Sequence, residues 1–511
     1  LKDRAPPLIH VKAGADAIAY NRDRRPMSFP AASFAPSVVV PRSAAAPVIA
    51  VLATEGAAFP ADARRWLTLA VGSLLLAGLL SLSVVIGRLP WLSGLIDDPL
   101  FFKRSLVVHV DLALVVWFYA VVAALGALRT ARRPATTDAF AFLAAVFGVV
   151  AMVAGGGVRG AAPILANYIP VIDHPLFLLG LAWFFAGTLT FIFRTLTAPS
   201  VRRPGGLPPD AAVGVQAAGV ALAIALATWI SARAALPAGL DRHTFFEFGF
   251  WGAGHALQVA NVSAMLAVWL WLLHRASGRS LFSARGARVV FLLLLAPHFV
   301  MPLLSWQGAL HRTYIEGSTQ LMRWGLFPVV LVVLGLSIRH LLRHGLASGD
   351  PLARAARTGF AASAGLTLLG FVLGAMIRES TTLIPAHYHA SLGGVTAAFM
   401  TAAFLAIAPL RGDLARLGRS ARRQLACFGV GQAVFALGFA IGGIHGLARK
   451  AYAGEQHVRS LGEQVGLGVM GAGGLLAAVA GVGFLVLVLP PLLSRRRAPA
   501  GAVSQPVPAS P

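Results

Sequence analysis

Residues 380–410 read STTLIPAHYHASLGGVTAAFMTAAFLAIAPL, an apolar run long enough to cross a bilayer that carries two histidines two positions apart. Successive helical residues turn by about 100°, so His387 and His389 project about 160° apart on the helix cylinder. Such a pair cannot easily serve one metal. It can serve two cofactors lying on opposite sides of the helix, each taking one imidazole. The plainer alternative is a pair of polar residues lining an inter-helix contact, because intramembrane polar groups act as hydrogen-bonding glue as well as functional sites.

The rest of the chain bears on that choice. At 511 residues, 57% hydrophobic and 12% charged, with a mean hydropathy of +0.75, the composition is that of an all-α, polytopic membrane protein. The formal charge of +24 would suggest nucleic acid in a soluble protein, but these arginines stand in short runs between apolar segments. No basic stripe interleaved with aromatics appears, which argues against nucleic-acid binding. Cys427 is the single cysteine. An internal disulfide, a CxxCH haem attachment and a two-cysteine copper centre are thereby excluded within this sequence, so electrons for any redox chemistry must arrive from another protein.

Residues 1–62 are rich in Ala, Pro and Arg and read as a disordered leader, with Met27 as an alternative start. Residues 63–493 form the membrane domain. The tail, 494–511, is Arg, Pro and Ala and reads as unstructured. Twelve transmembrane helices are expected between, at about 66–87, 103–128, 139–155, 175–196, 211–234 and 245–273, then 289–306, 321–342, 359–376, 380–410, 425–446 and 465–489. Counting Lys and Arg in alternate loops and at adjoining span ends gives about twenty-two on one side and about twelve on the other. Both termini are therefore expected in the cytoplasm.

Four spans carry histidine inside their apolar runs: His109 on the second, His255 on the sixth, His298 on the seventh, and His387 with His389 on the tenth. With that orientation all five imidazoles fall roughly 8 to 15 Å below the outer surface, at 1.5 Å per residue. A shared depth on four helices is what two haems and a further metal side by side would need. By contrast His10, His274, His340, His344 and His457 lie in the leader or in loops and are expected at the surface.

AHYHASLGG on the tenth span, FKRSLVVHVDLALVVWFY on the second, WGAGHALQ on the sixth and APHFVMPLLSW on the seventh resemble the four ligand helices of haem-copper oxidase subunit I. The likeness is closer to cbb-type oxidases and nitric oxide reductases than to mitochondrial-type oxidases, and it covers all twelve spans in order. It implies that His109 and His389 are the axial ligands of a low-spin haem and that His387 is the one ligand of a high-spin haem. It further implies that His255 and His298 hold a non-haem metal, copper or iron. HGLARKAYAG after the eleventh span resembles the family's propionate-binding pair and points to Arg449 and Lys450, whose alternative is ordinary interfacial charge.

The departures are specific. The family has two adjacent histidines on the seventh span, and here the second position is Phe299, which leaves the metal weak or absent. Oxygen-reducing members carry a tyrosine bonded to a metal-ligand histidine. The matching position here is Val259, and the seventh span has no tyrosine. Between the histidine layer and the cytoplasm the sixth, seventh, eighth and tenth spans show no Lys, Asp or Glu, whereas Asp111, Glu247, Glu316 and Glu379 lie towards the outside. Protons are thus expected from the outer side, with Glu247 the leading candidate among the acids.

The resemblance implies a respiratory reductase subunit in membrane lipid, fed by an electron-donating subunit or a soluble cytochrome c or cupredoxin, and acting on a diatomic gas. The missing tyrosine favours nitric oxide over oxygen. Two other classes stand beside it. A secondary transporter has the same span count but should show two similar halves, which this sequence lacks. A non-catalytic haem electron carrier would keep His109 and His389, and Phe299 is the feature that supports it.

Overall fold

The computed structural model describes residues 59–86, 98, 100–131, 135–203, 205–347, 349–449, 458 and 460–494, with only the backbone of 84–86. Among them twelve helices are long and apolar enough to cross a membrane. In order they are Ala61–Ser83, Phe101–Arg129, Thr136–Gly156, Pro175–Leu196, Pro209–Ala234 and Arg242–Ser277, then Ala284–Gln307, Arg312–His344, Ala353–Met376, Leu383–Leu410, Leu414–Ile444 and Leu461–Leu493. A helix satisfies its own backbone polar groups, which hydrocarbon cannot do, so long apolar runs fold this way. The first helix begins two residues ahead of the expected domain boundary. Nearly all of the leader and the tail beyond Ser494 lie outside the described residues.

Burial orders the spans. The sixth and tenth are the most enclosed, with 89% and 83% of their central windows buried, and the second follows at 72%. Three of the four histidine-bearing helices therefore form the middle of the bundle, while the seventh, at 33%, is peripheral. Neighbouring spans close up through glycine. A Cβ at Gly180 would lie 2.7 Å from the Met152 backbone nitrogen, so the third and fourth spans meet backbone to backbone.

Three helices lose regular geometry at the level of the histidines. The second turns π-helical over Asp111–Val116, directly after His109. The seventh is 3₁₀ over Ala296–Gln307, a stretch that contains Pro297 and Pro302. The eighth is π-helical over Met322–Leu326, just before Pro328. Proline removes an N–H and crowds the carbonyl four residues back, which accounts for the breaks in the seventh and eighth spans.

The eighth helix starts nine residues earlier than the apolar run predicts. Polar residues interrupt hydrophobicity over Arg312–Leu321, but Tyr314 and Ser318, four apart, are both buried on one face. The Tyr314 hydroxyl accepts from the Gly252 backbone N–H at 2.8 Å, which anchors the extension to the sixth span. His340 is also corrected: it is buried, not at the surface, and its Nε2 bonds Ser277 Oγ at 2.9 Å.

The connection between the third and fourth spans folds as an antiparallel hairpin, β1 (Ala162–Ile164) with β2 (Val171–Asp173). Buried Arg104 ties its base to the second span, donating to Gly156 O at 3.0 Å and pairing with Asp98. Arg242, at the start of the sixth span, grips Asp173 with two nitrogens. That bidentate bond holds the Asp173 carboxyl below the ordinary carboxylate range.

Candidate haem-binding site

The five histidines all lie in the half of the bundle capped by this hairpin. Counted from the near end of each helix, they sit roughly 6 to 20 Å in at 1.5 Å per residue. His255 is the deepest by this count because its helix, Arg242–Ser277, starts furthest ahead of its histidine.

Four of the five share one arrangement. Nδ1 of His109 lies 2.8 Å from Ala77 O on the first span, and Nδ1 of His387 lies 2.7 Å from Gly370 O on the ninth. Nδ1 of His298 bonds Leu294 O at 2.8 Å, and that of His255 bonds Trp251 O at 2.7 Å. A carbonyl can only accept, so each Nδ1 carries the proton and each Nε2 presents a lone pair. This is how a ligating imidazole is set by its second nitrogen. His389 lies among aromatic rings of the eleventh span, 4.8 Å from Phe435 and stacked at 5.3 Å on Phe439.

His387 and His389 thus meet different walls, the ninth span and the eleventh, as their opposed projection requires. The donor chemistry of His109, His387 and His389 fits haem iron. Glycine makes room for the second of these: a Cβ at Gly374 would come 2.7 Å from His387 Nδ1. Gly374→Ala should therefore cost about 1 to 3 kcal/mol of stability by overpacking and loosen the His387 imidazole. Thermal unfolding together with haem content checks this.

His255 and His298 share a wall, the irregular start of the eighth span. His255 Nε2 lies 3.2 Å from Thr319 Oγ1. His298 is fully buried, and a Cβ at Gly325 would sit 2.8 Å from its Cε1. Its Nε2 makes no hydrogen bond among the described residues. Phe299, by contrast, faces outward at 54% exposure. A histidine in its place would point away from His298's environment, because adjacent 3₁₀ residues diverge by about 120°.

Sequence reasoning missed a tyrosine at this point. Tyr168, at the hairpin tip, reaches across 87 residues of sequence to place its hydroxyl 2.8 Å from His255 Nε2. Its ring occupies the space over Gly254, where a Cβ would meet Cδ1 at 2.6 Å. Buried Glu247 binds the preceding Asn167 twice, accepting its backbone N–H at 2.9 Å and its side-chain amide. No periodicity marks ILANYIPVI, so only the fold could reveal the contact. The residues fit a three-ligand metal poorly: among the described residues no three His, Cys, Asp or Glu side chains converge as metal ligands.

The remaining candidates fall as follows. Arg449 Nε donates to Ser380 Oγ at 2.9 Å, and Thr382 N–H to Leu447 O at 2.9 Å, so the loop after the eleventh span is pinned over the start of the tenth. Lys450 lies outside the described residues. Glu316 is an exposed partner of Arg312, and Glu379 is exposed. Asp111 is wholly buried two residues after His109, and neither carboxylate oxygen is hydrogen-bonded among the described residues.

The sequence matches the profile of cytochrome c and quinol oxidase polypeptide I over residues 63–476. The chain belongs to this family, within the haem-copper oxidase subunit I superfamily. Family membership makes it an integral, multi-pass membrane oxidoreductase subunit of respiratory electron transport, in a family that typically binds haems and a metal. An uncharacterized protein of Aquifex aeolicus (strain VF5) is 29% identical over 361 residues, covering 69% of this chain and 86% of that protein. An uncharacterized protein of Rickettsia prowazekii (strain Madrid E) is 24% identical over 496 residues, covering 83% and 94%. Among solved structures, a haem-copper terminal oxidase dimer determined by cryo-electron microscopy superposes with a TM-score of 0.60 at 16% identity, covering 86% of this chain and 85% of that one. At that identity the likeness concerns the fold.

Proposed function

We propose that this oxidase-type subunit binds two haems and reduces a diatomic gas, with nitric oxide as the substrate that the tyrosine-free sixth and seventh spans favour. His109 and His389 would hold a low-spin haem and His387 a high-spin one, with Arg449 and Lys450 near the propionates. Bound there, the haems would supply one-electron transfer and a place for a diatomic gas to bind. The observation that carries the reading is the common tautomer of His109 and His387, whose Nδ1 protons go to carbonyls of neighbouring spans.

The chain's own contribution is orientation and enclosure. Ala77 O and Gly370 O fix the imidazole planes, so little reorganisation accompanies a change of charge at the ligand nitrogen. Buried apolar residues on the second, sixth and tenth spans would keep water from the haems. Electrons come from an electron-donating subunit or a soluble cytochrome c or cupredoxin on the outer side, since Cys427 alone builds no further redox centre. Oxygen is the second reading, and the observation in its favour is that a tyrosine hydroxyl, that of Tyr168, stands at the site at all, 2.8 Å from His255 Nε2.

A reduced-minus-oxidised spectrum, followed by carbon monoxide, tests the proposal on the purified protein. Low-spin haem plus a carbon monoxide-binding second haem is expected. Low-spin haem alone would make the chain an electron carrier, and absence of haem would favour transport.

A further inference from the structure

We propose that His255 serves here as a hydrogen-bonded imidazole rather than a metal ligand, with Tyr168 as the group that holds it and Glu247 as the positioning residue behind Tyr168. The argument turns on a single lone pair. Trp251 O, 2.7 Å from Nδ1, can only accept, so Nδ1 carries the ring proton and Nε2 is the acceptor. Tyr168 OH, 2.8 Å away, donates to Nε2. Thr319 Oγ1, at 3.2 Å from Nε2 and 3.1 Å from Ile315 O, has one proton to share between them. A metal at Nε2 would need the same lone pair, and the hydroxyl of Tyr168 would first have to leave.

Tyr168 is held against leaving. Glu247, Trp251 and His255 stand four apart, and Gly254 falls seven after Glu247, so they form one stripe of the sixth span. The hairpin lies along that stripe. Glu247 takes both donors of Asn167, Trp251 meets the Tyr168 ring edge to face at 5.8 Å, and Gly254 leaves the ring its space. The outward-facing Phe299 offers no replacement ligand. His298 alone among the pair retains an Nε2 without a hydrogen bond, and one imidazole falls short of the three protein ligands that catalytic metal sites use.

The test uses the full chain purified with its haems. Copper, zinc, manganese and iron are measured by mass spectrometry, and haem is assayed on the same sample. The expected result is iron equal to haem and no other metal near stoichiometry, with the same values in His255→Ala. About one equivalent of a non-haem metal that is lost in His255→Ala would overturn the proposal. A second readout concerns the bond itself. With isotope-labelled tyrosine, the infrared C–O band of a strongly donating phenol should vanish in Tyr168→Phe, shift in His255→Ala and shift in Glu247→Gln. A band untouched by His255→Ala would also overturn it. The inference concerns the site of the proposed function but is read on resting protein. Failure to reduce a gas would leave it standing, and a stoichiometric metal on His255 would sink it whatever the activity.

Discussion

His387→Ala is expected to abolish carbon monoxide binding, a loss on the order of tenfold or more, while most of the low-spin signal survives. Its imidazole is fixed against the ninth span by Gly370 O, whereas His389 lies on the eleventh span between Phe435 and Phe439. Removing one should leave the other's surroundings intact. The converse variants sharpen the contrast. His109→Ala and His389→Ala should each remove the low-spin spectrum, because either change leaves that iron without an axial imidazole. Retention of the low-spin spectrum in both would refute the pairing, and carbon monoxide binding by His387→Ala would refute the high-spin assignment. Spectra of detergent-purified variants with matched protein content decide both points.

Much of this could be read from the linear sequence, and the reasons are physical. An apolar run of about 20 residues has one way to cross a bilayer, so the twelve spans follow from hydropathy. Histidine is costly in hydrocarbon, so His109, His255, His298, His387 and His389 stand out without any structure. Two features stayed hidden. The helix over Arg312–Leu321 is polar by composition and buried only through Tyr314 and Ser318, so the hydropathy signal begins too late and leaves Thr319 outside the span. The hairpin carrying Tyr168 has three-residue strands and no alternation to detect, and its contact with His255 is set by how the third, fourth and sixth spans pack. Charges fared similarly. Glu247 was legible as a buried acid near the outer end, but its engagement by Asn167 belongs to tertiary structure.

Turnover is expected to take its protons from the outer side and to build no membrane potential. In the orientation that the Lys and Arg excess predicts, the histidines would occupy the outer half of the bundle, and the inner half would have to carry any proton path from the cytoplasm. Several hydroxyls at and below the middle of the bundle are spent on backbone, although Ser263 Oγ on the sixth span has no hydrogen bond among the described residues. Ser363 Oγ donates to Gly394 O at 2.6 Å, Thr367 Oγ1 to Ser363 O at 2.8 Å and Thr401 Oγ1 to Ala397 O at 2.7 Å. These protons are committed to carbonyls, and the inner halves of the sixth, seventh, eighth and tenth spans offer no carboxylate or ammonium to carry one across. On the outer side Glu247 is buried beneath the hairpin, 2.9 Å from the Asn167 backbone N–H, next to the Tyr168–His255 contact. Glu247→Gln should therefore slow turnover by about tenfold or more, a change near 1.4 kcal/mol in the barrier, whereas Thr401→Val should leave it within about twofold. Reconstituted vesicles given donor and gas from outside provide the measurement, with a potential-sensitive dye as readout. A potential that grows with turnover and collapses with a protonophore would show that water threads the inner half past these hydroxyls.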